Sequence, residues 1–208
     1  RNELLQNSDT LEITDFGAES RVFKSNTRKI SSIAKNVGIS FKRQKLLFRI
    51  TNYFKSKTVL ELGTFLGLGT TSMAFANDSI KITTLEGCKN TAKVSEAIFN
   101  KYHLSTIQLQ NAPFECFFNK NLSDSYDLVY IDGNHNKKNT LQYFEYLLNR
   151  INNDSLLIFN HIYWDVDMTE AWNQIKEHPK VTVSIDTFYW GIVFFRKEQQ
   201  KQHFTIRV

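Results

Sequence analysis

The stretch Val59-Leu-Glu-Leu-Gly-Thr-Phe-Leu-Gly-Leu-Gly-Thr70 decides how this chain folds. It reads as a buried strand that runs into a glycine-containing turn and then opens a helix. Glycines at 63, 67 and 69 let backbone approach a ligand without Cβ interference, and the helix that follows presents free N–H groups to a small polar or anionic cofactor. A glycine turn used only to pack strand against helix would look similar. The spacing G-x-x-x-G-x-G departs from the dinucleotide G-x-G-x-x-G, which argues against a nicotinamide site. Glu86 ends the next strand, 23 positions after Gly63, where a carboxylate can accept hydrogen bonds from both hydroxyls of a ribose.

Working outward, short apolar runs alternate with helical periods. Thr58 to Leu62, Lys81 to Leu85, Thr106 to Gln110, Tyr126 to Ile131 and Leu156 to Phe159 read as strands, with helices near 70–76, 89–102, 137–150 and 167–178. This alternation predicts a mostly parallel sheet covered on both faces. At the C-terminal end, Val181, Val183 and Ile185 alternate with polar residues, whereas Gly191 to Phe195 is nearly continuous in apolar residues. The short link from Thr187 to Trp190 cannot hold a crossover helix, so the pair is an antiparallel hairpin with the later strand inside the earlier one.

That order and the glycine loop together resemble the class I S-adenosylmethionine-dependent methyltransferases. Glu61-Leu-Gly-Thr-Phe-Leu-Gly-Leu-Gly69 is similar to their first motif and Glu86 to their ribose acid, and the resemblance runs from about Thr58 to Arg196. It implies a Rossmann-like α/β fold, a seven-stranded mostly parallel sheet with an antiparallel C-terminal strand and helices on both faces. By the same resemblance Glu61 and the backbone around Gly63, Thr64, Leu66 and Gly67 would hold the methionine end of S-adenosylmethionine, Glu86 its ribose, and Asn111 and Ala112 would lie near its adenine.

The strand Tyr126-Asp-Leu-Val-Tyr-Ile-Asp-Gly-Asn-His135 delivers Asp132 and His135 to the carboxyl edge of the sheet, beside the glycine turn. Methyl transfer to a hydroxyl requires that its proton be taken or its pKa lowered. An imidazole can do the first, and a divalent ion held by carboxylates the second. His135 is therefore the first candidate base, although capping the following helix is an alternative role. The end of this strand and of the next resemble the small-molecule O-methyltransferases of the catechol and caffeoyl type. These hold a divalent metal with one Asp from the fourth strand and an Asp-Asn or Asp-Asp pair ending the fifth. Asp132 takes the first place, but the pair here is Asn160-His161, an amide and an imidazole. An amide removes charge that magnesium prefers, and His161 favours softer ions, so a metal at Asp132, Asn160 and His161 departs from the implied pattern. His161 can instead serve as a base or a substrate contact. Tyr163, Trp164, Asp165, Asp167 and Trp172 follow, able to form an acceptor wall, with sheet packing for Trp172 and a helix cap for Asp165 as alternatives.

Several activities are disfavoured. The only prolines are Pro113 and Pro179, so neither the Pro-Pro-aromatic motif of exocyclic amine methylation nor the Pro-Cys of cytosine C5 methylation is present. Tyr53 and Lys57 have short-chain dehydrogenase spacing but precede the glycine loop, and read as packing and solvated residues. Cys88 and Cys116 stand far apart without ligand spacing, which points to a reducing, cytoplasmic setting, and no apolar run reaches the ~20 residues of a membrane span.

Residues 1–57 read as a helical N-terminal segment ahead of the cofactor domain at 58–208. Ile30, Ile33, Ala34 and Val37 share one helical face over 27–37, and Leu46, Leu47, Ile50, Tyr53 and Phe54 another over 42–55. The formal charge of +5 conceals an asymmetry, because Arg21 to Lys57 holds 11 basic residues and no acid. A solvated helix face explains such a run, and so does a lid that recognises a phosphate, carboxylate or acidic sugar. The expectation is methylation of oxygen on a small, anionic acceptor, with nucleic acid disfavoured as a partner and homodimerisation left open. A non-catalytic cofactor-binding module and an RNA ribose methyltransferase are the alternatives.

Overall fold

The computed structural model describes residues 1–14, 24–118 and 124–208. Its centre is the glycine-loop strand β3 (Thr58–Leu62), buried from Val59 onward because both sheet faces are covered. The chain leaves it on one side through β4 (Lys81–Leu85) and β5 (Ile107–Gln110), then returns to the other side through β6 (Tyr126–Ile131) and β7 (Ile151–Asn160). The order therefore reverses between β3 and β6, and it is at such a switch point that open α/β sheets leave a crevice beyond their strand ends.

Helices α4 (Leu68–Ala74), α5 (Lys89–Lys101), α7 (Lys137–Leu147) and α8 (Val166–Glu177) connect these strands, with a short α6 (Phe114–Phe118) that the sequence pattern did not mark. The C-terminal hairpin forms as expected. β8 (Val183–Asp186) and β9 (Trp190–Phe194) are antiparallel, and β9 lies inside, antiparallel to β7 with Asn160 opposite Trp190. One addition corrects the seven-strand expectation. A further strand, β10 (Gln202–Thr205), pairs parallel with β8 and makes an eight-stranded sheet, ordered β10-β8-β9-β7-β6-β3-β4-β5. Its residues are all exposed, so no buried face imposes a readable alternation.

The N-terminal segment is not purely helical. Besides α1 (Asn2–Gln6), α2 (Ile30–Asn36) and α3 (Phe41–Tyr53), it carries an antiparallel ribbon, β1 (Thr10–Glu12) with β2 (Thr27–Lys29), where the pattern had begun a helix at 27. The segment is part of the core: Leu4, Ile13, Ile30, Ile33, Ala34 and Leu47 pack with Val59, Leu66, Met73 and Ile82 on one sheet face. The other face is filled by Leu60, Val129, Phe144, Leu157, Phe159 and Trp172 from strands and from α7 and α8. Trp172 is thus a packing residue and no part of an acceptor wall, and Tyr53 and Lys57 are exposed, Tyr53 on α3 and Lys57 just before β3. No helix among the described residues is long and apolar enough to cross a membrane.

Candidate functional site

The carboxyl ends of β3 and β6 meet where Asp132 N–H donates to the Leu62 carbonyl at 2.8 Å. Gly63 makes that closeness tolerable. It sits at φ 103°, and a Cβ there would collide with the Asp132 carbonyl. Gly67, at φ 73°, caps α4 and faces Phe99 on α5, so it serves the strand-to-helix turn and does not line the cleft. Above the turn lies an open cleft, lined by Glu61, Gly63, Thr64, Phe65, Leu66, Gly69, Tyr130 and Asp132 and bounded on the N-terminal side by Val37, Gly38 and Ile39.

Glu61 is the unusual group on this wall. It is 1% exposed and accepts hydrogen bonds from the hydroxyls of Thr70 and, at 2.6 Å, Thr84, whose own hydroxyl lies 2.6 Å from that of Thr64. Among the described residues no cation meets it. Burial pushes its carboxyl up to about 8, with Asp132 and Glu86 adding repulsion. Glu86 is held differently: one oxygen accepts from Phe65 N–H at 2.7 Å and the other from Cys88 N–H at 2.9 Å, which ties the glycine loop to the end of β4. Asn111 directs its amide N–H groups at the carbonyls of Glu86 and Gly87, at 2.7 and 3.2 Å. It therefore braces the β4 end, with Ala112 beside it at the end of β5.

The second half of the site lies at the ends of β6 and β7. Asp132 accepts from Tyr130 Oη at 2.9 Å and from Asn160 Nδ2. His161 Nδ1 lies 3.9 Å from Asp132 Oδ1 and 3.2 Å from His135 Nε2. The structure thus brings Asp132, His135, Asn160 and His161 together at these strand ends. Their placement depends on backbone that few non-glycine residues adopt: Asn134 stands at φ 52° and His161 at φ 56°. Trp164 covers both imidazoles, with ring centroids 5.6 Å from His135 and 5.2 Å from His161. Burial pulls the His135 imidazole down to about 4, assisted by His161, and pulls His161 down as well. Both rings are neutral at neutral pH, each with a nitrogen lone pair. Asn136 caps α7 and Asp165 caps α8, so capping at these two helices falls to neighbours and not to His135.

Two features of the site went unread in the sequence. Thr70 and Thr84 support Glu61, yet each reads only as a polar residue in a buried element. At the rim, Arg43 in the first turn of α3 lies over the Tyr189 ring, 4.7 Å from its centroid, and its charge helps to hold His161 neutral. No carboxylate partners Arg43 among the described residues. The basic run around it, including Lys35, Lys42, Lys45 and Arg49, is otherwise exposed, as a solvated face should be. Tyr163 hydrogen-bonds Asp186 and is half-exposed beside the same mouth.

Residues 60–162 match the family model of a methyltransferase domain. No curated protein matches the sequence. Among solved structures, the cofactor-bound Rv0187 from MTB is 19% identical with a TM-score of 0.69, covering 80% of this chain and 86% of its own. The O-methyltransferase from Bacillus cereus in complex with SAH is 16% identical, with a TM-score of 0.65 and coverage of 79% and 86%. TomG, an O-methyltransferase from Streptomyces achromogenes involved in tomaymycin synthesis and solved with SAM, is 15% identical, with a TM-score of 0.66 and coverage of 78% and 83%. At these identities the structures speak for the fold, and the family model for the chemistry it frames: residues 60–162 of this chain are a methyltransferase domain, set in the sheet of a class I methyltransferase.

Proposed function

We propose that the chain transfers a methyl group from S-adenosylmethionine to an oxygen of a small, anionic acceptor. The observation that carries this reading is Glu61, a buried carboxylate on the wall of an open cleft with two other acids nearby and no cation to meet it. That carboxyl keeps its proton in the empty cleft at neutral pH, and a cationic ligand would favour its ionised form; S-adenosylmethionine brings a sulfonium and an ammonium group. The donors fit the rest of it. Gly63, Thr64 and Leu66 offer a close-approach wall to the methionine end, the Glu86 carboxylate oxygens would accept from ribose hydroxyls, and Asn111 and Ala112 flank the place for the adenine.

The cofactor supplies an electrophilic methyl group on sulfur. The chain's own residues then have two tasks. Asp132 and His161 orient an acceptor hydroxyl at the ends of β6 and β7, and the neutral His161–His135 pair takes its proton as the oxygen gains the methyl. A proton taken there is stabilised by Asp132. Trp164 packs against both rings and holds them in place. Val37 to Ile39 line the cleft from the N-terminal side, and Arg43, over the Tyr189 ring, would receive an anionic, planar part of the acceptor. An arginine stacked on a tyrosine beside a cleft suits a small molecule, whereas a nucleic-acid backbone asks for a track of phosphate contacts. Two unbridged cysteines suit a reducing, cytoplasmic setting.

The test is methyl transfer from labelled S-adenosylmethionine to the small-molecule fraction of a cell extract. The reading predicts a labelled, base-stable product that disappears with His161→Asn. Cofactor binding without transfer to any acceptor would mark the chain as a binding module, and label in RNA would overturn the small-molecule reading.

A further inference from the structure

We propose that Asp132, His135 and His161 form a site for a first-row transition ion of the zinc or cobalt kind, and not a magnesium site. The oxygen-rich set implied by the resemblance to catechol- and caffeoyl-type enzymes does not fit the residues present. Asn160 stands where a carboxylate is called for, and its neutral amide beside Asp132 supplies none of the charge that a hard cation prefers. The side chains that do converge are two imidazoles and one carboxylate, whose ligand atoms all lie within 4.8 Å of one another.

The spacing suits an ion. Two ligand atoms each about 2.1 Å from one ion, at an angle between octahedral and tetrahedral, stand about 3.0–3.4 Å apart. His135 Nε2 and His161 Nδ1 are 3.2 Å apart, and Asp132 Oδ1 is 3.9 Å from His161 Nδ1, so a small rotation of the carboxylate completes the triangle. Imidazole nitrogen suits zinc, cobalt and nickel, whereas magnesium prefers oxygen and keeps its water. A second observation points to the same place. Asn160 is 4% exposed, and its Oδ1 is a buried acceptor without a hydrogen-bond partner, on a side chain whose other end already touches Asp132. Rotation of that amide would bring an oxygen to the group as a further ligand. Three protein ligands leave positions open for the acceptor, whose hydroxyl the ion would acidify as a Lewis acid. The imidazole pair would then hold the ion in place of acting as base, and the acidified hydroxyl would give its proton to solvent water at the open side of the site. In this respect the inference deepens the methyltransferase reading and rests on it, while ion binding itself is measured without cofactor.

The experiment uses tag-free, chelator-stripped protein titrated with cobalt(II) and followed by visible absorption, with zinc and magnesium titrations by calorimetry. Cofactor binding is measured in parallel. The expected result is one cobalt ion per chain with the intense bands of a low-symmetry nitrogen-ligated site, displacement by zinc, and no magnesium binding at millimolar concentration. His135→Ala should weaken cobalt and zinc at least tenfold while leaving the melting transition cooperative. His161→Asn should do the same, and asparagine keeps the left-handed backbone accessible. Should either variant fail to fold, the wild-type preference for zinc over magnesium decides alone. Magnesium binding as tight as zinc, cobalt affinity unchanged in folded His135→Ala, or no ion bound by wild type would each overturn the site. Cofactor binding with no ion refutes the metal site and spares the methyltransferase reading; ion binding with no cofactor does the reverse.

Discussion

The two halves of the cleft are built on opposite principles. At the ends of β3 and β4, Glu61 and Glu86 are immobilised: two threonine hydroxyls hold one, two backbone amides hold the other, and Asn111 pins the strand end behind them. At the ends of β6 and β7, the working groups are held mainly by one another. Asp132, Asn160, His161 and His135 form a chain of side-chain contacts, carried on residues at positive φ and roofed by Trp164. A half fixed by backbone can serve one unvarying ligand, whereas a half made of exchangeable side chains can be retuned to a different acceptor or ion without disturbing the sheet.

The comparison can be broken most severely through Glu61. Its carboxyl is held near 8 in the folded chain against an ordinary value of 4.5. Below pH 4.5 it is neutral in both folded and unfolded states. Between 4.5 and 8 the unfolded chain releases a proton that the folded chain keeps, so this group's contribution falls as pH rises, by up to about 1.4 kcal/mol per pH unit. Melting temperatures of wild type and Glu61→Gln measured across that window should diverge in favour of the glutamine variant, and parallel curves would refute the burial argument. Saturating cofactor should narrow the gap, because cationic groups favour the ionised carboxylate.

Next in size is Gly63→Ala, which forces a Cβ into the Asp132 carbonyl at an unfavourable φ and should cost about 3 kcal/mol in denaturant unfolding. A cost below about 1 kcal/mol would mean that the β3 and β6 ends are not locked together. On the acceptor side, Arg43→Gln should raise KM for an anionic acceptor about tenfold with kcat little changed, an effect that shrinks at high salt. Equal loss for a neutral analogue would remove the anion-binding role. The smallest effect expected is Asp165→Ala, which deletes the cap accepting from Met168 N–H at 2.7 Å and should cost about 1 kcal/mol without changing cofactor affinity.

The half built on Glu61 and Glu86 was readable because its signals are local. A buried β-run, a glycine turn and an acid at the next strand end lie within Val59 to Glu86, and the inside position of β9 followed from its continuous apolar run. The half at the ends of β6 and β7 was readable only as a set of candidates. Asp132, His135, Asn160 and His161 could be named from strand ends, but the 3.2 Å approach of the two imidazoles depends on left-handed backbone at Asn134 and His161 that no residue pattern announces. Arg43 was hidden in a uniformly basic run, since what sets it apart from Lys42 or Lys45 is its place over the Tyr189 ring and near His161, and not composition. The ribbon of β1 and β2 and the edge strand β10 escaped for a related reason: short, largely exposed strands carry little of the alternation that burial imposes.

The division of labour itself is tested most directly by titrating S-adenosylmethionine into wild type, Glu86→Ala and His161→Asn by calorimetry under one condition. The account predicts measurable binding to wild type, at least about tenfold weaker binding to Glu86→Ala, as loss of a charged acceptor of two amide hydrogen bonds requires, and affinity within about twofold of wild type for His161→Asn. Unchanged affinity in Glu86→Ala, or equal losses in both variants, would contradict it.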